Sequence, residues 1–470
     1  MAFALDKTVC ELFAGVGGFR CGLNHIKAIG DIKKGEKWKT VWFSQWEPVD
    51  KKIQWAHGCY VNRFGASLDK KGNDTTNCDI ATVNKEAIPD HSLLVGGFPC
   101  QDYSVSQSLK TSKGIEGKKG VLWWSIYDTV KAKQPPFVLL ENVDRLLKSP
   151  SKQRGRDFGI ILACLSQQGY IVEWRVINAA DYGWQQRRRR TFIFAYRKTT
   201  NFGQEITKAL SDESHLAIST VLEKTGFFAR CFKVDQIDIA KIRATKIGVA
   251  DNAKRVISDD DIKKISDEFK FDFECSGIVT DRTIYTVKTI PDYNGKYRTL
   301  GDIKEKGAVD DSFFIPEERL YYTNPDERYS DETGGKLPTK YRQTWQYLKG
   351  GKKILRKASN GHEYVFSEGP IAMIDADDKP ARTMLTSEGG FSRTTHIVKD
   401  NKTGKIRLLT PVEMERIQGF PDNWTKECFV DGEKVEMPLN KRRFMMGNAL
   451  VVNLISQMEE EIDKIFDREA

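Results

Sequence analysis

Between residues 7 and 200 the chain alternates short, uninterrupted apolar runs with helical stripes. That rhythm constrains the fold more than any other feature. A strand buried on both faces reads as a continuous apolar run, and parallel strands need helical crossovers. The pattern therefore predicts a mostly parallel sheet covered by helices. Four runs fit: KTVCELFA (7–14), KTVWFSQWE (39–47), SLLVGGFPC (92–100) and PFVLLENV (136–143). After the second, Ile53, Ala56, Tyr60 and Phe64 recur at spacings of three and four, the apolar stripe of one helix. EWRVINAADYGW (173–184) and TFIFAYR (191–197) read as a late antiparallel pair.

Beyond residue 200 the regular alternation stops. Mixed charge, aromatics and turn sequences such as PDYNGKYR predict a separate, irregular, β-rich domain. Order returns with LLTPVEMERIQGF (408–420), a helix opening at Thr410-Pro411, and with 449–466, where Val451, Ile455, Met458, Ile462 and Ile465 share one face. The expected division is 1–199, 200–403 and 404–470. No apolar run approaches the roughly 18 residues of a membrane helix, and Asp6 and Lys7 interrupt the N-terminal apolar stretch, so neither a span nor a signal peptide is expected. The nine cysteines are scattered without a CxxC, and the six histidines show no ligand spacing. That predicts a reducing cytoplasm, no disulfide framework and no metal. A net charge of +9 permits a polyanionic partner.

Chemistry is concentrated at a few points. The first run enters the turn Gly15-Val16-Gly17-Gly18, where a backbone can approach a ligand and helix N–H groups can face it. Glu47 ends the second run, where an acid can bind ribose hydroxyls. Asp79-Ile80 is expected to end a further strand beside it. The dinucleotide fingerprint GxGxxG is incomplete, so a nucleoside cofactor without a pyrophosphate fits better. Cys100 follows Gly96-Gly97-Phe98-Pro99 at the carboxyl end of a buried run, where open α/β sheets place their crevice. Glu141 ends the next run. A thiolate beside a carboxylic acid is a covalent-catalysis pair. In Gln186-Arg187-Arg188-Arg189-Arg190 an extended chain points alternate side chains the same way, so Arg188 and Arg190 are expected to converge.

Phe13-Ala14-Gly15-x-Gly17-Gly18, Gly97-Phe98-Pro99-Cys100-Gln101, Glu141-Asn142-Val143, Gln186-x-Arg188-x-Arg190 and Gly447-Asn448-Ala449 occur in that order. Together the series resembles that of the DNA (cytosine-5)-methyltransferases. Arg407-Leu408-Leu409-Thr410-Pro411-x-Glu413 and Gln418-Gly419-Phe420-Pro421 resemble the family's penultimate motif. The matches cover 8–198 and 405–455. The resemblance implies a Rossmann-like α/β methyltransferase domain that binds S-adenosyl-L-methionine. An irregular β-rich target-recognition domain would be inserted into it, and the C-terminal helix would return to the cofactor side. It implies Cys100 as the nucleophile at cytosine C6, Glu141 at N3, and Arg190, supported by Arg188, at O2. Phe13, Ala14, Gly15, Gly17, Glu47, Asp79, Ile80, Phe98, Leu122 and Asn448 would line the cofactor pocket. Gln101, Ser104, Ser106, Lys110 and Thr383 would contact DNA, with Ser106 filling the space a flipped base vacates. Gln185 stands where the family often has proline, Arg189 where it often has glutamate, and Trp46 where asparagine is common.

The expected activity is methylation of a cytosine in double-stranded DNA by a prokaryotic-type modification enzyme acting as a monomer. A tRNA cytosine-5 methyltransferase is the nearest alternative, but Phe98-Pro99-Cys100 differs from the Pro-Pro-Cys context of that branch. A silent DNA-binding protein is the third reading, and it would have no chemical need for Cys100, Glu141 and Arg190 together. Lys349–Lys357 (KGGKKILRK), near Tyr341, Trp345 and Tyr347, suits a phosphate-contacting surface as well as a solvated hairpin.

Overall fold

The structure, a computed structural model, describes residues 5–48, 52–98, 121–247, 257–322, 342–358 and 361–469. Cys100, Gln101, Ser104, Ser106, Lys110 and Tyr341 lie outside the described residues. The central sheet contains β1 (Thr8–Leu12), β2 (Lys39–Ser44), β3 (Leu93–Gly97), β4 (Phe137–Val143), β5 (Tyr170–Asn178), β6 (Arg189–Arg197), β7 (Arg243–Lys246), β8 (Ser276–Thr280) and β9 (Thr283–Val287). Their order is β2-β1-β3-β4-β6-β5-β8-β9-β7. The first four strands are parallel, and every pairing from β4–β6 outward is antiparallel.

The apolar runs are continuous because both faces are covered. Val9, Leu93, Val95, Phe137 and Leu139 point into one cluster, together with α1 (Gly18–Leu23). Cys10, Leu12, Leu94, Val138 and Leu140 point into the other, filled by α3 (Val121–Lys133) and α4 (Arg156–Gln167). This is the two-residue alternation of a strand, with apolar groups on both sides. Helix α2 (Trp55–Phe64) buries Ala56 and Tyr60 of the expected stripe, while Ile53 lies just before it.

Two expectations are corrected. Asp79 ends no strand: its carboxylate accepts from the Ala81 N–H at 3.0 Å and turns the chain into a short 3₁₀ segment, Ile80–Thr82. Nor does the sheet stop near residue 199. β8 pairs with β5 from Val172↔Val279 to Arg175↔Ser276, and β9 and β7 extend the same edge. The strands at 243–246, 276–280 and 283–287 thus extend the same sheet. Gly277 permits this, because a Cβ there would lie 2.2 Å from the Trp174 ring.

Farther along lie two separate antiparallel pairs, β10 (Lys352–Lys357) with β11 (Glu363–Glu368), and β12 (Ile397–Lys399) with β13 (Ile406–Leu408). The chain then returns through α5 (Pro411–Gln418), α6 (Leu439–Asn448) and α7 (Val452–Phe466). Thr410 caps α5 as expected, in a reciprocal arrangement with Glu413. Ile455, Met458, Ile462 and Ile465 of α7 are buried, and Val451 caps the helix. No helix among the described residues is long and apolar enough to cross a membrane.

Helix α7 closes on α1 without a gap. A Cβ at Gly22 would lie 2.5 Å from the Ile455 Cβ and 2.9 Å from the Val452 carbonyl oxygen. Overpacking of this kind costs about 1–3 kcal/mol. Gly22→Ala is therefore expected to lower unfolding free energy by that amount in urea titration; unchanged stability would show that the helices separate freely.

Candidate active site

The turn after β1 is held in an unusual conformation. Phe13, Gly15 and Gly17 all have positive φ, at 55°, 56° and 86°. Gly17 is compelled to be glycine, since a Cβ would meet the Phe64 ring at 2.7 Å. At Gly15 a Cβ would meet nothing within 4 Å, so the turn faces open space. A phenylalanine in the left-handed region costs energy and persists only where its surroundings fix it. Two side chains supply that fixing. Gln45 Oε1 accepts from the Gly15 N–H at 2.7 Å, and Trp424 Nε1 donates to the Val16 carbonyl at 2.8 Å.

Beneath the turn, Glu11 of β1 is buried. Its Oε2 accepts from the Tyr60 hydroxyl at 2.9 Å. Burial pushes its carboxyl up to about 7, opposed by Tyr60, by the charge of Arg20 and by the amides of Arg20 and Phe19. Glu47 anchors the adjacent wall, its Oε2 accepting from the Trp55 N–H at 3.1 Å where α2 begins.

These groups open onto a cleft of about 210 Å³. Of the residues singled out in the sequence, Phe13, Ala14, Gly15, Glu47, Glu141 and Asn448 line it. Gly17 stands behind the turn. Ile80 and Phe98 are packed into the apolar cluster on the α3 side, with Leu122 against it, and neither they nor Asp79 line the cleft. Sequence reasoning missed Gln45, Phe444, Met445 and Leu450, which also line it. Apolar residues on α6 read as ordinary core, and only the return of the chain to α1 makes them a wall.

At the far end of the cleft, the Arg190 Nε lies 2.8 Å from the Glu141 Oε1, both side chains being largely buried. Register explains the meeting: Val143 pairs with Arg190 across β4–β6, and Glu141 pairs with Gly97 across β4–β3. Gly97 leaves room for the carboxylate, whose Oε2 would lie 3.4 Å from a Cβ there. Asn142 Nδ2 donates to the Phe98 carbonyl at 2.8 Å, fixing the chain just before Pro99-Cys100. No described cysteine lines the cleft. Burial pushes the Cys10, Cys21, Cys59 and Cys164 thiols up, away from reactivity.

Arg188 does not converge with Arg190 on Glu141. It is 1% exposed and donates to the carbonyls of Met384 (3.0 Å), Gly447 (3.2 Å) and Asn448 (3.4 Å). Burial and the Arg190 charge pull its guanidinium down to about 9, still protonated at neutral pH. Arg188 is thus a positioning residue. Thr383, expected at DNA, donates its hydroxyl to the Arg187 carbonyl. Gln185 uses its carboxamide to cap α5, donating to the Arg416 carbonyl at 2.6 Å. Gly447 is required because a Cβ would lie 2.5 Å from the Leu385 backbone. Among the described residues no cluster of potential metal ligands occurs.

The family model described as C-5 cytosine-specific DNA methylase matches residues 7–464. Type II methyltransferase M.Sau3AI of Staphylococcus aureus is 44% identical over 461 residues, covering 97% of this chain and 95% of that protein. Type II methyltransferase M.HhaI of Haemophilus parahaemolyticus is 31% identical over 191 residues, covering 41% of this chain and 49% of that one. Among solved structures, a DNMT2 variant from Spodoptera frugiperda matches with a TM-score of 0.50 at 13% identity, covering 98% of this chain and 99% of that chain. That likeness is one of fold, a Rossmann-like α/β methyltransferase architecture.

The buried Glu11 carries a pH signature. Its folded pKa of about 7 lies above the usual 4.5, so folding favours the protonated form. Stability from this group is fullest below pH 4.5 and declines through pH 7, by about 3 kcal/mol. In urea denaturation from pH 5 to 8 the wild type is expected to lose up to that amount relative to Glu11→Gln; parallel curves would refute the assignment.

Proposed function

The chain belongs to the C-5 cytosine-specific DNA methylase family and is a DNA cytosine-5 methyltransferase of the restriction–modification type; from that premise we propose that it modifies one cytosine of a short duplex sequence through a covalent Cys100 adduct, protecting the DNA from a cognate endonuclease. The observation that carries this reading is the Glu141–Arg190 pair at the cleft end. A carboxyl and a guanidinium side by side match the adjacent N3 and O2 atoms of a cytosine edge.

The cleft suits S-adenosyl-L-methionine. The Gly15 turn faces open space, Glu47 supplies an acid for ribose hydroxyls, and Phe13 and Phe444 give apolar walls. Asn448 adds a carboxamide at the rim. When bound, the cofactor supplies an electrophilic methyl group. The chain's residues do the remaining work. Cytosine C5 is a poor nucleophile until the Cys100 thiolate adds to C6, forming an S–C6 bond and making C5 enamine-like. Glu141 holds a proton at N3 as charge develops there, and Arg190 neutralises O2. After C5 is alkylated, solvent takes its proton, the C5–H electron pair re-forms the C5=C6 double bond, and the S–C6 bond breaks to return Cys100 as thiolate.

The reacting base cannot be reached within a duplex, so it must be flipped out at a cost of a few kcal/mol. The stretch 101–120, with Gln101, Ser104, Ser106 and Lys110, would close over the DNA, Ser106 occupying the vacated stack. Arg188 would hold the Thr383–Met384 segment against the catalytic side throughout. One catalytic and one recognition region suffice to clamp a duplex, so the protein would act as a monomer in the cytoplasm.

Plasmid DNA incubated with protein and S-adenosyl-L-methionine is expected to show C5 marks at one short motif in cytosine-methylation sequencing. Cys100→Ala should abolish them, and Glu141→Gln should slow their appearance about 10²–10⁴-fold, the usual contribution of a positioned acid or base. Marks that persist in Cys100→Ala would remove that residue as the nucleophile.

A further inference from the structure

Leu355 and Val365 are among the most exposed large apolar side chains described, at 64% and 61%, and they stand directly opposite each other on the β10–β11 ribbon. Lys353 and Lys357, both exposed, lie two residues to either side of Leu355 and so share its face. The opposite face is different: Ile354 and Phe366 are half-buried, and Arg356 stacks on the Phe366 ring at 3.7 Å. One face of the ribbon is therefore partly packed, and the other presents an apolar pair flanked by Lys353 opposite Ser367 and by Lys357 opposite Glu363.

A loop among the described residues joins the ribbon to the active-site cleft. Arg393 pairs with Glu368 at the end of β11 and donates to the Gly369 carbonyl. Arg393 belongs to the segment 382–396, whose Met384 carbonyl is held by Arg188 and whose Leu385 backbone abuts Gly447 beside the cleft. A partner engaging both places must be extended, and the two lysines, outnumbering Glu363 on that face, favour a polyanion.

We propose that β10–β11 is a base-reading ribbon whose Leu355–Val365 face enters the major groove of the substrate duplex while Lys353 and Lys357 contact flanking phosphates, an assignment that rests on the DNA-methylating function above. The major groove, about 12 Å wide, admits a two-stranded ribbon. Apolar side chains there read thymine methyl groups, and lysines on phosphates set register without carrying sequence information.

The test uses the full chain and two double variants, Leu355→Ala/Val365→Ala and Lys353→Ala/Lys357→Ala, each first checked for a wild-type thermal melt. Binding is measured against a duplex carrying the motif methylated in plasmid DNA and against single-base changes of it, at several salt concentrations. The apolar variant is expected to lose about tenfold or more in discrimination at one or more positions and to keep the wild-type salt slope. The lysine variant is expected to weaken binding to all duplexes alike and to reduce the slope by about two. Unchanged discrimination in the apolar variant overturns the ribbon assignment while leaving the methyltransferase reading intact. The same holds if that variant only converts a dimer to a monomer in light scattering. A wild type that neither binds nor marks any duplex overturns both.

Discussion

One buried cation holds the active site together. Arg188 brings its guanidinium to carbonyls of residues 196, 259 and 260 positions away in the chain. Two of those carbonyls, of Gly447 and Asn448, lie at the C-terminal end of α6, where unpaired acceptors and the helix dipole favour positive charge. Hydrogen bonds to a charged group contribute about 1.5–3 kcal/mol each, and burying the charge offsets much of that. Its effect is geometric. The end of α6 lines the cleft, and Met384 leads into the segment beside it. Both are held at the approach to β6, the strand that also delivers Arg190 to Glu141. A single residue thus fixes the end of α6, the approach to β6 and the segment at Met384 relative to one another.

Strain and its support are paired in the same way at the glycine turn. Phe13 at φ 55° is tolerable because Gln45 and Trp424 hold the following peptides from opposite sides. Trp424 comes from the returning C-terminal region, so the turn acquires its final shape only when that region docks. The contact of Gly22 with Ile455 serves the same docking. The shape of the cleft is therefore linked to the packing of α7 on α1, although α7 itself does not line it.

The parallel half of the sheet was legible because each strand of five to seven residues is dominated by a short apolar run with a turn behind it. Register then carried Glu141 to Gly97 and Arg190 to Val143 without further information. The alternation in Gln186–Arg190 was legible in part: Arg188 and Arg190 turn inward, yet to different partners, since acceptor geometry depends on segments 200 residues distant. Strands β7–β9 escaped notice because each has only four or five residues and the one that joins them to the sheet, β8, pairs with β5 about 100 residues earlier in the chain. Asp79 misled because an acid after a cysteine and before an isoleucine reads equally as a strand end or a turn cap. Gln185 was visible only as a departure from proline. The structure shows what the departure does: a carboxamide that ties the strand approach to the end of α5.

Chemistry and recognition occupy regions with opposite physical demands. The cleft end is built from residues with no freedom to change size: a Cβ at Gly447 would collide with backbone. The outer face of β10–β11 touches little of the core, and surface substitutions there shift stability by roughly 0.5 kcal/mol at most. A two-stranded ribbon is marginal alone, so its order must come from its root. There Arg393 holds Glu368, and the Lys349 ammonium sits 3.7 Å from Asp375, which Arg382 binds in turn. Arg382 adjoins Thr383 and Met384, the residues joined to the Arg187 and Arg188 backbone and side chain. The rigid root and the tolerant face are therefore separable. Side chains on the ribbon's outer face can be exchanged without disturbing the Glu141–Arg190 ion pair, because the links described between them run through segments already locked by Arg188, Arg382 and Arg393.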